Sequence, residues 1–166
     1  LWSCGGSQYS SPLSPEADVI PVGPGASAEI SPYSDDGSLS MAHLFTEEGM
    51  PLAQGLTFNG KKEGAWIMYS DKYNRQNLDA VYNYKDGIQH GPYVIMENGS
   101  AILETGSFYE GKLEGPRSVF SRNKRVETTH FKGGVMHGLS TRFYEDGVTK
   151  MEEGNYIEGK RDGVHE

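Results

Sequence analysis

Apolar and polar side chains alternate along most of this chain in short runs, each opening just after a glycine. The runs include Trp66-Ile67-Met68-Tyr69, Tyr93-Val94-Ile95-Met96, Ser118-Val119-Phe120 and Thr141-Arg142-Phe143-Tyr144. A period of two sends successive side chains to opposite faces, which predicts half-buried β-strands. Five residues past the glycine stands a large apolar side chain in one register: Tyr69, Met96, Phe120 or Phe143. Glu97-Asn98-Gly99 and Glu145-Asp146-Gly147 follow, and Asn-Gly and Asp-Gly are strong hairpin signals.

The runs belong to an internal repeat. Gly106-Ser107-Phe108-Tyr109-Glu110-Gly111-Lys112-Leu113-Glu114-Gly115 returns as Gly154-Asn155-Tyr156-Ile157-Glu158-Gly159-Lys160-Arg161-Asp162-Gly163 and as Gly55-Leu56-Thr57-Phe58-Asn59-Gly60-Lys61-Lys62-Glu63-Gly64. Looser copies at Tyr84 to Gly91 and Phe131 to Gly138 keep the aromatic and the last two glycines. The glycine pairs Gly60/Gly64, Gly87/Gly91, Gly111/Gly115, Gly134/Gly138 and Gly159/Gly163 recur every 27, 24, 23 and 25 residues. Each pair is expected to form a hairpin tip, since glycine reaches positive φ without steric cost. Pro92 and Pro116 begin strands, where a missing N–H costs least. One unit is a hairpin, and hairpins in series make an antiparallel meander stabilised by its neighbours.

Units of the form aromatic-x-x-Gly-x-x-x-Gly, followed by a Trp/Tyr-rich strand and an Asp-Gly or Asn-Gly turn, resemble MORN repeats, in particular the bacterial MORN variant. The resemblance covers roughly residues 45 to 166 and implies an all-β, elongated, curled meander of stacked hairpins. It also implies the company such proteins keep, lipoproteins and antitoxin-labelled chains. The second unit departs from the pattern, being polar and without a glycine turn from Asp71 to Ala80, and the third has Asn123-Lys124 in place of Asn-Gly.

Charge divides the chain in two. Residues 1–50 hold seven acidic residues and no Lys or Arg, so nearly all of the net charge of −8 lies there. The remainder is close to neutral, which gives no electrostatic case for nucleic acid or an acidic lipid surface. Lys61-Lys62, Lys112, Lys132 and Lys160-Arg161 form a basic stripe at the tips, offset by neighbouring acids. Residues 5–32, with Pro12, Pro15, Pro21, Pro24 and Pro32 among Gly and Ser, read as a disordered acidic tether. Val19-Ile20-Pro21-Val22 is a weaker candidate for an edge strand. Residues 33–54 carry Tyr33-Ser34-Asp35-Asp36-Gly37 and Phe45-Thr46-Glu47-Glu48-Gly49 and are expected to form a degenerate capping repeat; 55–166 hold five repeats, the last incomplete.

The single cysteine, Cys4, excludes an internal disulfide. Leu1-Trp2-Ser3-Cys4-Gly5 resembles the end of a bacterial lipoprotein signal, with Leu three before the Cys and a small residue just before it. The chain opens on Leu, so an upstream signal and a lipid on Cys4 are expected, with a membrane as one partner. The alternative is a chance cysteine in a tail.

Catalytic chemistry finds little support. His90 and His137 stand where other units have Glu63, Glu114 and Asp162, a turn position; a row of these five along one edge is the only cation-binding arrangement on offer. His43, His130 and His165 lack ligand-spaced partners. Neighbouring carboxylates such as Glu152-Glu153 point to opposite faces of a strand. The glycines are followed by strand residues rather than a helix, so no phosphate loop is expected. No enzyme activity, cofactor or metal is predicted.

What remains is surface. Trp66, Tyr69, Tyr93, Tyr109, Phe120 and Tyr144 are the candidate exposed aromatics for a protein or peptide partner, or for a glycan by stacking. Phe108, Phe131, Phe143 and Tyr156 are further candidates, and core packing is the competing role for all of them. The leading expectation is a non-catalytic binding or scaffolding domain anchored in the cell envelope. The alternatives are a cytosolic antitoxin-like protein that masks a toxin and a carbohydrate-binding envelope protein.

Overall fold

The structure, a computed structural model, describes residues 25–72 and 75–163. These form one antiparallel sheet of 14 strands, with no helix among the described residues. In chain order the strands are β1 Ser27–Pro32, β2 Leu39–Phe45, β3 Pro51–Phe58, β4 Lys61–Lys72, β5 Arg75–Lys85, β6 Ile88–Gln89, β7 Gly91–Glu97, β8 Ala101–Tyr109, β9 Lys112–Leu113, β10 Gly115–Ser121, β11 Lys124–Lys132, β12 Val135–Phe143, β13 Lys150–Ile157 and β14 Lys160–Asp162. Spatial order follows sequence order, with the short β6 and β9 pairing beside β5 and β8. The meander predicted from the repeat is the observed topology.

The expected tip is corrected by two residues. The turn is made by the first glycine and the residue before it, both at positive φ: Asn59-Gly60, Asp86-Gly87, Glu110-Gly111, Gly133-Gly134 and Glu158-Gly159. This two-residue turn matches the right-handed twist of the flanking strands, and glycine at its second position avoids the Cβ penalty. Successive tips are stitched together through the backbone. The N–H of Gly87, Gly111, Gly134 and Gly159 donates to the carbonyl of Lys62, Gln89, Leu113 and Met136 in the preceding unit, at 2.8–2.9 Å. The period of the sequence is thus the period of a hydrogen-bond ladder.

The second glycine lies across the sheet from the aromatic of the next unit. Gly64 pairs with Tyr84, Gly91 with Phe108, Gly115 with Phe131 and Gly138 with Tyr156. In the first unit the inward place belongs to Thr57, 3% exposed, and not to Phe58, which is 45% exposed.

The far end of each hairpin carries a β-bulge, between Met68/Tyr69, Ile95/Met96, Val119/Phe120 and Arg142/Phe143. This explains the register of large apolar residues five past the glycine: each is the first residue beyond a bulge, where the extra residue twists the strand. The glycine-free second unit extends its hairpin instead, pairing out to Lys72 and Arg75. In the third unit Arg122-Asn123 both take positive φ, and Asn stands in for glycine.

The tether was expected to reach residue 32. Instead Ser27–Pro32 pairs along its whole length with β2, with Pro32 at the end of an edge strand. Cys4 and the Val19–Val22 segment lie outside the described residues. The capping unit expected at 33–54 contributes β2 and the start of β3, joined through a turn at Thr46–Met50. Before it, the Asp36 carboxylate accepts from the Ser34 hydroxyl and from the amide and hydroxyl of Ser38, which holds its pKa down at about 2.

The core sits on one face of the N-terminal half. Ala42, Leu44, Ala53, Trp66 and Tyr84 are buried together, with Met68 and Tyr82 against them. Tyr82 stacks on Tyr93 at 5.6 Å, and Phe108 lies 4.8 Å from Tyr93. A sheet this long and open curls, which brings the side chains of its inner face together.

Candidate binding face

Following the pairing across the sheet gives two rows of side chains on the face that holds the core. One runs Ala42, Gly55, Trp66, Tyr82, Tyr93, Gly106, Arg117, Thr129, Ser140, Gly154. The other runs Leu44, Ala53, Met68, Ala80, Ile95, Glu104, Val119, Glu127, Arg142, Glu152. Both change character at β8. Before it the face is apolar and largely buried; after it the face is charged and mostly half-buried, with Thr129 and Gly154 buried and Arg142 exposed.

The charged half is an ordered ladder. Glu104, Arg117, Glu127, Arg142, Glu152 and Arg161 come from β8, β10, β11, β12, β13 and β14, so the sign alternates at every strand. Arg117 pairs with Glu104 and reaches Glu127 at 4.0 Å. Arg142 stands 3.4 Å from Glu127 and 3.6 Å from Glu152, and Arg161 pairs with Glu152. The first glycine of the last unit has a role here: Gly154 lacks a side chain where the Arg161 guanidinium crosses, and a Cβ there would meet Arg161 Nε at 3.1 Å.

The ladder is joined to the core at one end. The Tyr93 hydroxyl donates to Glu104 at 2.6 Å, and burial together with that carboxylate pushes the Tyr93 pKa up. The hydrogen bond to Glu104 likewise raises the Arg117 pKa. Exposure then grows along the ladder, from 20% for the Glu104 side chain to 62% for Arg142. The Thr129 and Ser140 hydroxyls, 2.9 Å apart, lie between the charged rungs. Together with Glu127, Arg142, Glu152 and Tyr156 they line a cavity of about 350 Å³. Its lining brings together hydroxyl, carboxylate and guanidinium groups, hydrogen-bond donors and acceptors of the kind that can engage a polar ligand.

The six expected aromatics are not gathered into one exposed patch. Trp66 and Tyr93 are buried, at 0% and 5%, because a ring facing inward from the middle of a strand is what this face uses as core. Tyr69 and Phe120 are half-buried beside the bulges. Tyr109 and Tyr144 are exposed but stand at opposite edges, one next to a tip and the other in the loop before β13.

The tip row has a structural task. Glu63 accepts the Asp86 amide at 3.0 Å and Glu114 that of Gly133 at 2.7 Å, each bracing the next tip, while His90 packs 5.0 Å from the Tyr109 ring. No group of three His, Cys, Asp or Glu is placed to hold a metal among the described residues. His130 Nδ1 is bonded to the Leu139 carbonyl, and His165 lies outside the described residues. Lys62, read with the basic stripe, turns inward: it is 6% exposed, with Nζ 4.5 Å from the Trp66 ring and 4.9 Å from that of Tyr84.

The ladder was missed although its acidic half carries a signal. Glu104, Glu127 and Glu152 each stand four residues before the aromatic of their unit, where an earlier unit has Ala80 before Tyr84. The arginines hold unlike places in their units, so only the pairing brings them into line. No protein-family model, no curated protein and no solved structure matches this chain.

Proposed function

We propose that the chain is a non-catalytic binding or scaffolding module on a MORN-like repeat sheet, engaging a protein partner through the Glu/Arg face of β8–β14. The observation that carries this reading is the change of one continuous face from a buried apolar to a regularly charged, partly exposed surface. Charged side chains with one ladder order give register and partner discrimination more than raw affinity. The lipoprotein-like Leu1-Trp2-Ser3-Cys4 adds membrane anchorage in a bacterial envelope to the proposal, with the proline-rich segment after it as a spacer.

Affinity capture with full-length protein tests the reading. A partner retained by the native chain and lost with Arg142→Glu, a half-exposed position, supports it; a partner retained equally by both removes the face from consideration.

A further inference from the structure

The core face runs out through β1, the strand at the N-terminal edge of the sheet. Ile30 stands opposite Ala42 and Ala28 opposite Leu44, so both apolar rows continue onto β1. Ala42 and Leu44 are buried, whereas all six residues of β1 are exposed, Ile30 at 56%. No described strand lies on the outer side of β1. The Tyr33 amide donates to the Leu39 carbonyl, so in this register Ser27, Glu29 and Ser31 turn their backbone groups to β2, while Ala28, Ile30 and Pro32 turn theirs outward. Pro32 lacks only an N–H that would point away from the sheet. Ala28 and Ile30 each present an N–H and a carbonyl to whatever lies beside them.

The chain itself supplies a strand for that place. The described strands follow one another across the sheet in chain order, so the segment before β1 is the topological neighbour of its outer edge. Gly25 has a φ of 81°, and a Pro-Gly pair with its glycine in that region is the centre of a type II turn, which reverses the chain. Just before Gly23-Pro24-Gly25 stands Val19-Ile20-Pro21-Val22. With Val22 set opposite Ala28, Ile20 falls opposite Ile30 and Pro21 opposite Glu29. Ile20 and Val22 then extend the two apolar rows, and Pro21 takes a position whose N–H points away from β1, so its ring removes no bond. A second copy of β1 fits worse. The two-fold pairing that sets Ala28 against Ile30 also sets Glu29 against its own equivalent, like charges directly opposite, and the one centred on Ile30 sets Pro32, without an N–H, against Ala28.

We infer that residues 19–22 fold back antiparallel on β1 as a further strand, closing this edge of the sheet with a segment of the same chain. The backbones of Ile20 and Val22 exchange hydrogen bonds with those of Ile30 and Ala28, and their side chains cover Ile30 and the rim of the core. The arrangement denies an apolar open edge to other strands and shortens the spacer after Cys4 to residues 5–18. It is independent of the Glu/Arg face.

Amide hydrogen exchange of the full-length protein, read residue by residue by NMR, is the test. The Ala28 and Ile30 amides are expected to exchange at least about tenfold more slowly in the native chain than in Ile20→Pro, which removes the N–H bonded to Ile30. Val19→Pro, at a position whose N–H points away from β1, is expected to keep the protection. The Glu29 and Ser31 amides, turned to β2, report in every variant that the sheet is folded. Ala28 and Ile30 amides that exchange at the unprotected rate in the native chain overturn the inference, as does protection that Ile20→Pro leaves unchanged. Protection that rises with protein concentration would give the edge to a second copy and overturn it as well.

Discussion

Gly55 lies directly under the indole of Trp66, and a Cβ at Gly55 would come within 2.6 Å of the ring. Trp66 is the largest fully buried side chain among the described residues, and its Nε1 donates to the Leu56 carbonyl at 2.7 Å, so the ring has no room to retreat. Gly55→Ala is expected to destabilise the fold by about 1–3 kcal/mol through overpacking. Gly60→Asn at a tip is expected to cost less than about 1 kcal/mol, since Asn123 already takes the matching turn position at positive φ. Urea unfolding of the two variants gives the ranking; equal losses would contradict it.

Lys62 makes stability rise on the alkaline side. Burial lowers its pKa from 10.5 to about 8, and its ammonium has no hydrogen-bond partner, only the faces of Trp66 and Tyr84. Between about pH 8 and pH 10.5 the unfolded chain therefore binds more protons than the folded one, so folding gains stability as pH rises through that window. Tyr84 and Tyr93 have raised pKa values and act in the opposite sense once unfolded tyrosine ionises, near pH 10. Denaturant unfolding at pH 7 and pH 9.5 should show the native chain gaining relative to Lys62→Met, and the Met variant the more stable of the two at pH 7. A native-minus-Met difference that is flat or falls with pH would remove this account of Lys62.

Two arginines of the charge ladder should differ in energetic weight. Arg142, with a 62% exposed side chain, is expected to contribute less than about 1 kcal/mol to folding, and that amount should shrink with added salt. Arg117 is 29% exposed and bonded to Glu104, which also accepts from Tyr93, so Arg117→Ala leaves a half-buried carboxylate short of a partner. A loss of about 1–3 kcal/mol is expected. A double-mutant cycle on Arg117 and Glu104 measures the coupling directly, and a coupling no larger than that of Arg142 with Glu127 would contradict the ordering.

The proposed membrane anchorage rests on one residue, Cys4. In the full precursor expressed in a bacterium, radioactive palmitate should label the native protein and not Cys4→Ser. Absence of label in both would withdraw the envelope reading and favour a cytosolic antitoxin-like or adaptor role.

The fold was legible in the sequence because the repeat writes each backbone requirement as a residue type. Positive φ at the tips appears as glycine, and the close approach to Trp66 and Tyr93 appears as Gly55 and Gly106. The tip itself was misplaced by two residues because the residue before the first glycine varies, Asn59, Asp86, Glu110, Gly133 and Glu158, although all of them adopt the same backbone. The candidate face was less legible. Alternation tells which residues share a face of one strand, but Arg117 and Arg142 meet Glu127 only through the register of three strands. The aromatics drew attention instead, and a ring two residues past the second glycine, as at Trp66 and Tyr93, is where this sheet builds its core.

Site-specific photo-crosslinking in the native cell tests the central claim most directly. A photoreactive residue at Ser140, between the charged rungs, is compared with one at Val94 on the opposite face of the same sheet. The account predicts a discrete adduct from position 140, abolished by Arg142→Glu, and none from position 94. Adducts from position 94 alone, or from position 140 irrespective of Arg142, would show that the partner does not read the Glu/Arg ladder.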